Sequence, residues 1–234
     1  MKDKNMTDYM PTTEFGNRFE AFQNSPEMEI YKNLLALKAS FRVFEGNFKE
    51  LIEYLEHLKK PREALFKYSW DERKNTETLI DETSRLFHNF LAAAKSLVDH
   101  TRRIVNRLYS TDHSFSQEYQ EKLKADLANN PVQKFIQNLR NYTQHYTLPI
   151  PDLQIAFGED MEFTMQIDTK ELLKWKEWKD SKPYLENLGD SFSLVDLSNE
   201  YYLIVQDFYV WLTERQHNIH QQDIENLKNM QKDL

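Results

Sequence analysis

The sequence predicts a mainly α fold: an up-and-down bundle of long helices with one β-hairpin inserted at about residues 152–167. Three observations lead there. Four glycines and seven prolines in 234 residues leave few helix breakers, a composition that suits long helices. Apolar residues recur at steps of three and four over most of the chain, the period of a helix with one buried face. Between Leu153 and Ile167 the period drops to two, the mark of a strand pair.

Taken in order, residues 1–24 show no clear period and read as an N-terminal arm, and residues 25–234 read as one bundle domain. Ser25-Pro26-Glu27 is a helix start, with a capping hydroxyl, proline at the first position and acid in the first turn. Ile30, Leu34, Leu37, Phe41, Phe44, Phe48, Leu51, Leu55 and Leu58 then continue one stripe to Pro61, loosened at Gly46, and a short helical turn follows around Glu63 to Tyr68. A second long helix spans about 76–109 on Leu79, Leu86, Phe90, Ala94, Leu97, Ile104 and Leu108. Short connections between long helices imply antiparallel neighbours. A shorter helix over about 115–127 leads to Asn129-Asn130-Pro131, a cap and first-position proline opening the next helix. Leu153, Ile155 and Phe157, then Met161, Phe163, Met165 and Ile167, alternate with polar residues and predict a hairpin with its apolar face on the bundle. A short helix near Lys170–Trp178 and a long one from about Leu197 to Met230 complete the chain.

Composition narrows the function. Without cysteine there is neither a disulfide framework nor a thiolate metal site. No long apolar run and no signal segment follows Met1-Lys2-Asp3-Lys4-Asn5, so the expectation is a cytoplasmic protein with no membrane partner. A formal charge of -8 argues against a broad nucleic-acid coat. RNA contact would need a local basic patch.

The helix after Pro131 carries the candidate pair. At about 100° per residue, Val132, Phe135, Ile136, Leu139, Tyr142, Thr143 and Tyr146 form its apolar arc, with Lys134, Gln137, Arg140, Asn141, Gln144 and His145 opposite. Arginine grips phosphate as a permanent cation, and histidine exchanges protons near neutral pH. The spacing alone is unspecific. About one Arg-x(4–6)-His match is expected by chance, and the chain has three: Arg140–His145, Arg107–His113 and Arg215–His220. Only Arg140 is followed by a small hydrogen-bonding residue, Asn141, in a helix with a strong apolar anchor. Arg140 and His145 diverge by about 140° on an ideal helix. Their convergence therefore calls for a deformed helix end or, preferably, a second copy across a twofold axis.

Other candidates have plainer readings. Lys95, Asp99, Arg102, Arg103 and Arg107 make a mixed charged stripe, ordinarily a solvated face, in which Arg102 and Arg103 are the best additional RNA contacts. Asp99 and His100 are adjacent and point apart. His217 and His220 have metal-compatible spacing without a third ligand. Trp175, Trp178 and Trp211 read as core or interface anchors, and His57 as a complement to a helix dipole. No metal site and no cofactor are expected.

The block Phe135-Ile136-Gln137-Asn138-Leu139-Arg140-Asn141-Tyr142-Thr143-Gln144-His145-Tyr146, after several long helices, resembles the HEPN superfamily (higher eukaryote and prokaryote nucleotide-binding domains). The resemblance covers about residues 26–148 plus the final helix. It implies a four- or five-helix bundle, homodimerisation and metal-independent endoribonuclease activity in a composite dimer cleft. Arg140, Asn141 and His145 would be the catalytic residues, RNA the substrate, and a toxin or antiviral defence role the setting, with an antitoxin or regulatory protein as partner. The alternative is a non-catalytic helical module of the same shape, binding a protein or a nucleotide. Two departures stand out. The hairpin is foreign to the minimal bundle. The tyrosine that some toxin members carry two places after the histidine, for modification by a nucleotidyltransferase antitoxin, is Thr147 here, with Tyr146 adjacent to His145 instead.

Overall fold

The computed structural model describes residues 14–68, 72–158 and 161–234. It is 78% helical with one small antiparallel sheet, so the fold class is mainly α, as the periodicity predicts. The chain divides into two compact units, one of residues 1–36 with 212–234 and one of residues 37–211.

In the first unit the expected arm is partly helical. Residues 1–13 lie outside the described residues, and Glu14–Gln23 form α1, whose Phe15, Phe19 and Phe22 already follow steps of four and three over a stretch too short to stand out. Helix α2 (Pro26–Leu55) begins on Ser25, whose hydroxyl accepts from the Met28 amide at 3.1 Å. Phe22 and Met28 pack with Leu227, flanked by Met230 and Leu234. The expected terminal helix is broken in two: α9 (Leu194–Ile219) and α10 (Gln221–Lys232) meet at His220. There the backbone leaves helical geometry (φ -102, ψ 17), and the buried ring binds Asp223 through Nδ1 at 2.7 Å.

In the second unit α2 passes Gly46 without interruption, and a methyl group there would meet open space. Next come a 3-10 turn (Glu56–Lys59), α3 (Pro61–Lys67), α4 (Arg73–Leu108) and α5 (Ser114–Leu123), which ends in a π turn to Ala128. Helix α6 (Pro131–His145), strands β1 (Asp152–Phe157) and β2 (Met161–Asp168), α7 (Thr169–Leu172), α8 (Lys182–Asn187) and β3 (Ser191–Ser193) lead into α9. Helix α7 is one turn long where a helix to Trp178 was expected. The Trp178 indole N–H donates to the Leu172 carbonyl at 2.7 Å, which folds the following residues back over the helix end.

Tyr201 of α9 sits at the centre of this unit, fully enclosed. Its ring meets Phe44 of α2 and Phe90 of α4 edge-on, each at 5.9 Å. One residue thus ties three helices together, and burial pushes its pKa well above the ordinary range. At the end of α2, the His57 ring donates from Nδ1 to the Tyr54 carbonyl at 2.7 Å and accepts from the Tyr68 hydroxyl at Nε2. That bonding fixes the neutral ring, and burial lowers its pKa. The unfolded chain therefore binds the extra proton more readily. Stability from this site is complete above about pH 6.5 and falls as pH drops toward the folded pKa. In His57→Gln the melting temperature should be less sensitive to pH between 7 and 5.

The sheet has the order β1-β2-β3, so a third short strand joins the expected hairpin. Strand β2 pairs with β1 from Asp152↔Gln166 to Phe157↔Met161, and with β3 from Gln166↔Ser193 to Asp168↔Ser191. Phe163, Met165 and Ile167 of β2 are buried. The apolar side of β1 is not: Ile155 is 37% and Phe157 80% exposed. Half of the hairpin's apolar face therefore lacks the expected cover. Among the described residues no helix is long and apolar enough to cross a membrane.

Candidate active site

Helix α6 starts as its sequence requires. The Asn130 side chain accepts from the amides of Val132 and Gln133 at 2.9 and 3.3 Å, and Pro131 occupies the first turn. Phe135 packs on Trp178 and Phe192, each at 5.6 Å between ring centres. Two turns further, Tyr142 stacks on Trp178 at 5.5 Å and meets Trp175 edge-on at 5.7 Å. Asn138 donates to the Trp178 carbonyl and to Ser181 Oγ, both at 3.0 Å. The segment 172–181 thus clamps one flank of α6, and α4 packs against the helix as well. The anchor reading of Trp178 matches its 1% exposure.

Packing from two sides buries a wider arc than the wheel alone predicts. Gln133 is buried, and Gln137, Arg140 and Asn141 are half-buried, so of the expected polar arc only Gln144 and His145 are exposed. The Nε of Arg140 is enclosed with no hydrogen-bond acceptor among the described residues, and its carbonyl accepts from Thr143 Oγ1 at 2.7 Å. His145 is the last α-helical residue. Tyr146 caps the helix, its amide donating to the Tyr142 carbonyl at 2.9 Å.

The helix stays α-helical from Arg140 to His145, so the two side chains leave it about 140° apart. A deformed helix end is thereby set aside for one chain. Asn141 and His145 lie one turn apart along one side, with no hydrogen bond between them among the described residues.

The other two Arg–His matches are in different states. His113 caps α5, its Nδ1 accepting from the Phe115 amide at 3.1 Å, and its ring lies 4.9 Å from that of Tyr109. His220 is buried against Asp223. The histidine of the α6 pair is exposed, as His113 is, but its imidazole makes no hydrogen bond among the described residues. Its metal-spaced rival fares no better: among the described residues no three His, Asp or Glu side chains gather as metal ligands. His100 bonds Ser40 Oγ through Nδ1 at 2.9 Å.

Arg102 and Arg103 are exposed on α4. Arg102 donates to Asp99 Oδ1 at 3.2 Å, and Lys95 reaches the same oxygen at 2.9 Å. Burial works to raise the Asp99 carboxyl, but the Lys95 ammonium, with Arg102 and Arg103 beyond it, brings it below its ordinary value. The single Asp99 carboxylate is thus shared by Lys95 and Arg102. The nearby Tyr119 hydroxyl is pushed up to about 12 by burial, against the opposing charge of Arg102.

One feature had no signal in the sequence. An open groove of about 850 Å³ lies between the end of α4 and α5, lined in part by Asn106, Tyr109, Ser110, Ser116, Gln120 and Glu121. Its residues come from a helix end and the next helix, with no shared spacing. It holds neither arginine nor histidine, so it offers amides and hydroxyls rather than a phosphate grip. Comparison with family models, curated proteins and solved structures returns no match.

Proposed function

We propose that the chain is a metal-independent endoribonuclease of HEPN type that cuts RNA in a cleft shared by two copies. The observation that carries this reading is the state of the three candidate histidines: His113 and His220 are held in structural bonds, while His145 stands exposed at the end of α6. A second feature supports it. The enclosed Arg140 Nε lacks an acceptor among the described residues, and a buried donor in that condition is costly unless a partner arrives. A phosphate oxygen is the acceptor an arginine fork fits best.

In this reading the 2'-hydroxyl oxygen attacks its own phosphorus as His145 of one copy takes its proton. The bond from phosphorus to the 5'-oxygen breaks, and His145 of the other copy supplies the proton to that oxygen. The products are a 2',3'-cyclic phosphate and a 5'-hydroxyl. Arg140 holds the phosphate and offsets charge in the transition state, Asn141 orients the imidazole or phosphate, and Arg102 and Arg103 extend the grip on RNA. The cellular setting is a toxin or anti-phage defence system in the cytoplasm, held in check by an antitoxin or another regulatory protein.

A second reading, a non-catalytic helical module binding a protein or nucleotide, draws on the half-burial of Arg140 and on the acidic body of charge -8. Purified protein incubated with structured RNA in excess chelator separates the two. The nuclease reading expects fragments ending in 2',3'-cyclic phosphate. Intact RNA, or fragments with 3'-hydroxyl ends, would favour the module.

A further inference from the structure

The sheet ends in an edge, along β1, to which no further strand is paired among the described residues. Strand β1 pairs with β2 on one side only, so alternate residues turn their N–H and C=O groups outward. Apart from Leu153, every residue of β1 is exposed. Proteins usually blunt such an edge with lysine, proline or a bulge. This strand, Asp-Leu-Gln-Ile-Ala-Phe over 152–157, has neither lysine nor proline, and its single charge is at the first position.

The two faces of the sheet say what the edge would accept. Register places Leu153, Ile155 and Phe157 on the face of Met165, Phe163 and Met161. An incoming strand would find apolar company there, beside Phe157 at 80% exposure. On the other face Asp152 and Glu162 share the surface with Gln154 and Thr164. From Tyr146 to Thr169 the sequence holds five acids (Asp152, Glu159, Asp160, Glu162 and Asp168) and no lysine or arginine. A second copy would bring two such hairpins, each with a formal charge of -5 (five acids, no bases), edge to edge. Like charges disfavour that pairing.

We infer that the β1 edge is a docking site for an extended basic peptide of a partner protein. The peptide adds as a fourth strand, with apolar residues beside Ile155 and Phe157 and lysine or arginine beside Asp152 and reaching across Ala156 toward Glu162. Main-chain bonds supply the adhesion, and the alternation supplies the selectivity. The site is separate from the chemistry proposed for α6 and serves the chain whether or not RNA is cut.

The test uses the full chain and a fluorescent eight-residue probe alternating isoleucine and lysine. Controls are an isoleucine–glutamate peptide and a fully N-methylated isoleucine–lysine peptide. Anisotropy should show the basic probe binding at least about tenfold more tightly than either control, and hydrogen exchange should show amides within 152–157 slowing when it is added. The exposed-face change Ile155→Lys should weaken binding by about tenfold and Glu162→Lys by about threefold, with unchanged melting temperature. Hydrogen exchange on the unaltered chain decides the matter if a variant misfolds. The proposal is overturned if the basic probe does not bind, if either control binds equally well, or if protection appears only outside β1. A concentration-dependent dimer that Ile155→Lys dissociates would give the edge to a second copy and also overturn it.

Discussion

His145→Ala should lower RNA cleavage by about 10²–10⁴-fold, the usual contribution of a positioned acid or base. The same change should barely move stability. The imidazole is exposed and makes no hydrogen bond among the described residues, so its removal leaves no donor or acceptor stranded. What it loses is at most a helix C-terminal interaction worth about 0.3–1 kcal/mol. His220→Ala is the contrast: it removes the buried partner of Asp223 and should cost stability while leaving the chemistry intact. Activity assays with both variants, alongside their melting curves, separate a site from a scaffold. Wild-type cutting rates in His145→Ala would reject the assignment whatever the His220 result.

Trp178→Ala should be the most damaging single change to the fold around α6. The indole is 1% exposed, packs on Phe135, Tyr142 and Trp175, and donates to the Leu172 carbonyl. Truncating a buried tryptophan costs about 3–5 kcal/mol, which corresponds to a melting temperature lower by about 6–20 °C for a chain of this size. The carbonyl of Leu172 would also lose its donor. Phe157→Ala is the control: the ring is 80% exposed, and such a surface change usually stays within about 0.5 kcal/mol. If both substitutions gave the same small shift, the clamp on α6 would not be what holds the helix.

The long helices were legible because their stripes are long. Leu79 to Leu108 repeats over eight turns, and chance does not sustain that, whereas the three phenylalanines of α1 cover two turns and pass for an arm. The break at His220 was invisible because its cause is local: one buried ring turning to Asp223. Asn130-Pro131 was readable as a helix start since the cap and the proline each act on their own neighbours. The wheel of α6 failed at Gln137 and Arg140 for the opposite reason. It assumes one covered side, and the segment 172–181 returns to cover a second. In the same way the alternation of β1 marks an apolar face but cannot tell whether this chain or a partner covers it. Within one chain Arg140 and His145 point apart as their spacing dictates, so the site depends on something the sequence of one copy does not contain.

That dependence can be measured directly. The chain has no cysteine, so a nitroxide on Gln144→Cys, at the exposed position beside His145, reports only distances between copies. With helices about 10–12 Å across, two α6 ends facing one cleft should place the labels within about 30 Å, and pulsed dipolar spectroscopy should resolve that distance. Absence of any dipolar signal, or a separation beyond about 50 Å, would contradict a shared cleft.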